Sequence, residues 1–318
     1  MRLIKLTLAA VVSTALPGLV LAAEHIPTAA AAHEAAGAAT QAAHSEQGLP
    51  NSAVRLLHDE FFVTNSMVVT WIVALALILF ARIATRNIRD VPAGAQNFWE
   101  WLVESLHEFL EGIIGNDLVK KTFWFFATIF IFILCSNWFG LIPGVGTVGW
   151  GEAGDHGFHV TRPLFRGVNA DLNMTLAMAM TFFACWIVWA LQANGAKGFV
   201  LHLFGPKGDT AGALKVLMIL VFMLVGVLEV VSILFRPVSL SFRLYGNIFA
   251  GENMLESMAN LIQEPAWLKA AASAVIPVPF YFLEVLVGLV QAMVFMLLTS
   301  VFTLLICMHE EGHEPAHH

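Results

Sequence analysis

Five runs of mostly apolar residues constrain this chain more than any other feature: 65–81, 122–141, 172–191, 213–262 and 271–308. A helix needs about 20 such residues to cross the hydrocarbon core of a bilayer. Lipid offers no partner for an open backbone hydrogen bond, so runs this long are read as helices sharing one bundle. The last two runs are longer than a perpendicular span requires, which predicts strong tilt or breaks. The expected fold is therefore an all-α polytopic membrane protein of about five membrane helices, the last two long and tilted as a hairpin. Composition agrees, with 58% hydrophobic and 12% charged residues and a mean hydropathy of +0.76, against about 25% charged in soluble domains. The net charge of −7 comes without a basic tract, so nothing invites nucleic acid. Cys135, Cys185 and Cys307 lie singly in apolar runs and read as small core residues, not as a disulfide framework or a metal site.

The segments between the runs give domains and orientation. Residues 1–23 join Arg2 and Lys5 to an apolar stretch that Pro17 breaks and that ends in small residues. This is the build of a secretory signal, a first membrane helix being the alternative. Residues 24–60 are rich in Ala and His and poor in large apolar side chains, so they read as a flexible exported segment. The membrane domain is expected over 61–308, and 309–318 as a polar cytoplasmic tail. Arg82, Arg86 and Arg89 after the first run, Lys120 and Lys121 before the second, and Lys197 and Lys207 after the third place those loops inside. The N-terminus is then outside and the C-terminus cytoplasmic. Between the first two runs, Phe98, Trp101, Leu102, Leu106, Phe109 and Ile113 recur at helical spacing among Glu100, Glu104, Glu108 and Glu111, which predicts an amphipathic helix on the inner surface. Residues 143–170 read as a Gly-rich loop.

Two short patterns suggest chemistry that their context denies. "GVGTVG" at Gly144–Gly149 matches a dinucleotide fingerprint, but it follows a membrane span, where the fingerprint needs a preceding strand and a following helix. "HEEGH" at His309–His313 matches a zinc-protease helix, yet it holds Gly312 and precedes Pro315 in a polar tail. No phosphate-binding loop is present, so nucleotide chemistry belongs elsewhere, and no cofactor or metal is expected.

The polar residues inside the fourth and fifth runs are another matter. With Arg243 at zero and about 100° per residue, Glu229, Ser232, Arg236, Ser239 and Asn247 all fall within about 40° of it. They form one polar stripe, with Pro237 a candidate kink in its midst. Glu252, nine residues beyond Arg243, points about 180° away. In the fifth run Glu284, Gly288, Gln291 and Phe295 share a face. Serines and glutamine alone would be explained by interhelical hydrogen bonds. A mid-bilayer charge costs at least about 2.5–3.5 kcal/mol and usually marks an ion path, and arginine cannot escape by losing its proton. Arg243, Glu252 and Glu284 are therefore functional candidates.

These residues carry a resemblance. "SLSFRLYGNIFAGE", preceded by "LEVVSILFRPVSL" and joined by "LVQAMVFMLLTSVF" in the last run, closely resembles subunit a of the F-type ATP synthase membrane sector. "VPAGAQNFWEWLVE" and "NADLNMTLAM" fit it too, and the likeness spans roughly 60–308. It implies a stator channel that conducts protons through two offset half-channels and so turns a ring of c subunits, with ATP chemistry left to other subunits. The motif arginine, here Arg243, would face the ring and keep the half-channels apart. Channel residues carry over to Asn247, Glu252 and Gln291. Some members have histidine where this chain has Glu284, so a histidine relay does not carry over. With the orientation above, Glu252, Glu284, Asn247 and Gln291 serve the outer half-channel, and Glu229, Ser232 and Ser239 the inner one. Implied partners are the c-subunit ring, the b-subunit peripheral stalk, indirectly the F1 sector, and the lipid of a bacterial inner membrane. The rival readings are a self-contained antiporter using the same buried Arg/Glu constellation, for which no internal repeat is visible, and a scaffold with polar glue.

Overall fold

The computed structural model describes residues 53–54, 63–142, 145, 148–154, 157–204, 213–262 and 265–307. The chain divides into two units, Met1–Pro50 and Asn51–His318, and all the described residues belong to the second. The expected signal at 1–23, almost all of the exported segment and the tail with its histidines lie outside the described residues.

Among the described residues there are seven α-helices: α1 (Asn65–Ala84), α2 (Ala95–Ile114), α3 (Asn116–Gly140), α4 (Leu172–Phe204), α5 (Ala213–Ala259), α6 (Ala266–Val275) and α7 (Val278–Cys307). Among the described residues five stretches are long and apolar enough to cross a membrane: Asn65–Ala84, Asn116–Gly140, Leu172–Phe199, Val221–Ala259 and Trp267–Cys307. The α-helical membrane fold read from the sequence is the one observed. The excess length of the last run resolves as a break, α6 ending at Val275 and α7 starting at Val278. Pro277 sits between them, where its missing N–H costs nothing, and its carbonyl accepts the first bond of α7 from Tyr281 N at 2.9 Å. The excess in the fourth run has another outcome: α5 continues through Pro237 as one helix.

Three segments differ from the sequence reading. The Gly-rich loop contains an antiparallel ribbon, β1 (Gly149–Gly154) pairing with β2 (Gly157–Pro163), with an irregularity between Trp150 and Gly151. Glycines had hidden its alternation. Lys197 does not lie in a loop: α4 resumes after a kink at Gly195, whose φ of 66° favours glycine, and runs to Phe204. α2 forms as expected, but it turns Leu106, Leu110 and Ile114 toward the protein, while Phe98, Trp101 and Phe109 stay exposed.

One apolar core joins α2, α3, α4, α5 and α7. Its fully enclosed members include Leu110, Ile133, Phe126 and Phe182, with Leu244 and Met296 against them. α1 adds a smaller cluster of Val69 and Val73 against Val168. Chain direction alternates, so α1 begins, α3 ends and α4 begins at one end of the bundle, where the ribbon lies. Hydrogen bonds fix this hairpin end: Asn65 Nδ2 donates to the Pro163 carbonyl at 3.2 Å and Ser66 Oγ to Asp171 Oδ2 at 2.6 Å. Lys120, Lys121 and α2 lie at the opposite, lysine end. There Trp186 Nε1 donates to Phe302 O at 3.1 Å and Asn194 Nδ2 to Ile306 O at 2.8 Å, tying α4 to α7.

Candidate functional site

α5 separates the predicted residues into two groups. Its buried line is Ile233, Leu240, Leu244, Ile248 and Leu255, which lies about 60–140° around the helix from Arg243. The stripe falls outside that sector. Ser232, Ser239, Arg243 and Asn247 are all exposed, while Glu229 and Arg236 are half-buried. Beside the stripe run Leu228, Phe235 and Phe242, 68%, 64% and 54% exposed. Arg243 thus stands exposed on a polar stripe flanked by apolar side chains, on a face that the described residues leave uncovered, and among them it makes no ion pair. Arg236 is held apart from it. Its guanidinium carbon lies 4.6 Å from the Phe302 ring centroid and 6.0 Å from that of Trp186, an aromatic cradle suited to a cation. Glu229, two turns away, acts on it electrostatically.

The glutamates occupy the inward side at the hairpin end. Glu284 is 3% exposed, and its carboxylate rests in the space over Gly251 that a β-carbon would fill. Glu252 reaches past α5 to a second pair of glycines. A β-carbon at Gly167 would collide with its carboxylate, and one at Gly140 would lie 3.7 Å from its Oε1 and 3.4 Å from Gly167 Cα. Three glycines on three segments therefore make the room for two carboxylates. Glu252 Oε2 and Glu284 Oε1 are shut off from solvent and have no hydrogen-bond partner within the described residues, and the two carboxylates act on each other electrostatically. Gln291 lies half-buried on the Glu284 face, between buried Gly288 and Phe295. Asn247 stands with Arg243 on the exposed stripe and not with the glutamates.

Polar groups that sequence reasoning passed over hold this arrangement. Asn169, in the 3-10 turn Val168–Ala170, donates to Asn137 Oδ1 at 2.6 Å, and Asn137 Nδ2 donates to Gly288 O at 2.9 Å. Trp138 Nε1 adds a bond to Val285 O at 3.2 Å. α3, the turn and α7 are thereby locked around the glutamates. The buried Arg166 and the Ser66–Asp171 pair complete this set. The available signals were Asn137 inside an apolar run and three polar residues, Arg166, Asn169 and Asp171, crowded before the third span. Asn137→Ala is expected to leave the side-chain amide of Asn169 buried and unpaired, at about 1–3 kcal/mol, while the Gly288 carbonyl keeps its bond within α7. A lower thermal midpoint of the detergent-purified protein would register this; an unchanged midpoint would contradict it.

Comparison with known proteins supplies a family. Residues 67–303 match the family described as ATP synthase A chain. ATP synthase subunit a of Desulfotalea psychrophila is 33% identical over 236 residues, covering 74% of this chain and 81% of that one. Its counterpart in Trichlorobacter lovleyi is 31% identical over 256 residues, 80% and 93% of the two chains. The Gloeobacter violaceus subunit a is 30% identical over 236 residues, 74% and 80% of the two chains.

Proposed function

The chain belongs to the ATP synthase subunit a family, and from that premise we propose that it is the stator channel of the Fo sector, passing protons to and from a rotating ring through two offset half-channels. The observation that carries this reading is the division of charge across α5: Arg243 exposed on one face, Glu284 buried and Glu252 half-buried on the inward side. A ring of c subunits fits the exposed face, because its outer surface must be apolar to turn in lipid and must carry a carboxylate to hold a proton. Lys and Arg crowd the lysine end, which makes it cytoplasmic. The hairpin end then faces outward, and Glu252 lies about 13 Å beyond Arg243 in that direction.

Each group then has a role. Glu252 and Glu284, with Gln291 below them, serve as the outer access, and Asn247 is placed to pass the proton around α5 to the ring. Arg243 favours the ionised form of a ring carboxylate that approaches it, so the carboxylate sheds its proton on the inner side before passing. Glu229, Ser232 and Ser239, all toward the lysine end from Arg243, line the exit. The arginine's fixed charge keeps protons from crossing directly. The membrane potential contributes about 2.3 kcal/mol per charge per 100 mV, and rotation carries that work to the catalytic sector, held against the stator by a b-subunit stalk. α2 suits the inner membrane surface, with exposed Phe98 and Trp101 turned to lipid.

Cross-linking tests the assignment of faces. With Cys135, Cys185 and Cys307 replaced by serine, cysteines at Ser239 and Asn247 are expected to form disulfides with a cysteine on the outer helix of the ring subunit. One at Ala292, fully buried on α7, is expected to form none. Cross-links from Ala292 alone, in assembled enzyme, would sink the reading.

A further inference from the structure

The enclosed glutamates raise a question of charge that Arg243 does not answer. It lies on the far side of α5, exposed, while Glu252 and Glu284 share an interior in which a lone carboxylate is costly. The cation placed to compensate them is Arg166. It follows β2, is 4% exposed, and precedes Gly167, the residue that abuts the Glu252 carboxylate. Its charge acts on that carboxylate directly. Its position is fixed on both sides: before it Asn65 donates to the Pro163 carbonyl, and after it Val168, Asn169 and Ala170 are buried, Asn169 is bonded to Asn137, and Asp171 accepts from Ser66. The other charged groups nearby are Glu256, one turn beyond Glu252 on α5, and Asp171 on Arg166's own segment.

We infer that Arg166 is a positioning residue for proton uptake, its guanidinium balancing the Glu252–Glu284 pair so that the two carboxylates together hold one proton and keep one vacancy. The inference rests on the proposed function of the same site. A guanidinium acting on Glu252 favours one ionised carboxylate in the pair, and so one vacancy, where a low-dielectric interior would otherwise keep both protonated. Without the cation the neutral pair holds two protons and has no place for a third. Each cycle then moves one proton from outer water into the vacancy and one proton from the pair toward the ring carboxylate, and no other bond changes. Glu252 and Glu284 are the acid–base groups, and Arg166 acts only through them.

The test uses the assembled enzyme in membrane vesicles, reading ATP-driven proton pumping against pH with ATP hydrolysis as the measure of assembly. Arg166→Gln is expected to assemble and to pump about 100-fold more slowly, and Arg166→Lys to keep most of the rate and the parent pH profile. Arg166→His is the decisive variant, and it holds whether or not the glutamine variant assembles. Its imidazole is charged only in acid, so pumping is expected to fade between about pH 6 and about pH 8 relative to the parent enzyme. A histidine variant with the parent's pH profile would overturn the inference, as would a lysine variant as impaired as the glutamine one. Arg243→Ala in the same vesicles separates the two levels. Loss of coupling there with parent-like Arg166 variants removes this inference alone, whereas normal pumping by Arg243→Ala removes the channel reading beneath it.

Discussion

Arg243→Ala is expected to abolish ATP-driven proton pumping while the complex still assembles. The residue is exposed on α5 and makes no ion pair among the described residues, so its removal leaves no buried partner uncompensated and should cost little stability. What it removes is the fixed charge facing the ring. At about 4 Å and an effective dielectric of about 20, one charge pair is worth about 4 kcal/mol. Losing it would cut the ionised fraction of a passing ring carboxylate by nearly three powers of ten. A ring carboxylate that stays protonated carries its proton past the stator, and hydrolysis no longer moves charge. The measurement is dye quenching in vesicles beside membrane-bound ATPase activity. Undiminished pumping would reject the channel assignment, and loss of the complex itself would favour a scaffold. Arg236 provides the contrast. Seven residues earlier on the same stripe, it is set between Phe302 and Trp186, so its loss should loosen the α4–α7 contact at the lysine end without removing the charge that faces the ring.

The sequence made the membrane helices and the division of α5 legible because both follow from periodicity. Apolar length marks a span, and 100° per residue sends Arg243 and Glu252 to opposite sides whatever the tertiary structure does. It could not say which apolar face of α2 meets protein. Phe98 and Trp101 looked as well suited to a core as Leu106 and Leu110, and lipid and protein interior are both apolar, so hydrophobicity does not separate them. The same limit hid the ribbon: β1 is half glycine, and its pairing with β2 is set by hydrogen bonds between segments and not by a pattern within either. The part Arg166 plays was hidden for a related reason. It sits in a short stretch with no period to read, and its relation to Glu252 exists only because the chain returns across the end of α5. The glycines are intermediate. Gly251 lies within the motif, but that its missing side chain makes room for a carboxylate from another helix is a tertiary fact.

That fact sets the second large effect. Gly251→Ala places a β-carbon where the Glu284 carboxylate now lies. The collision is with the end of a flexible side chain, so Glu284 can rotate away and the helices need not move apart. Assembly should therefore survive, while a carboxylate of the outer access is displaced by about 1 Å or more, a shift that can cost about 100-fold in a positioned reaction. Pumping is expected to fall by one to two powers of ten on that basis, with ATP hydrolysis retained. A double-mutant cycle identifies the route. If the alanine acts by moving Glu284, it should add nothing in a Glu284→Ala background, because the group it displaces is already gone. Gly246, whose β-carbon would meet nothing within 4 Å, is the control: Gly246→Ala on the same helix should leave the outer access untouched. Equal losses at Gly246 and Gly251, or full additivity with Glu284→Ala, would show that the glycine matters for the helix itself and not for the carboxylate it accommodates.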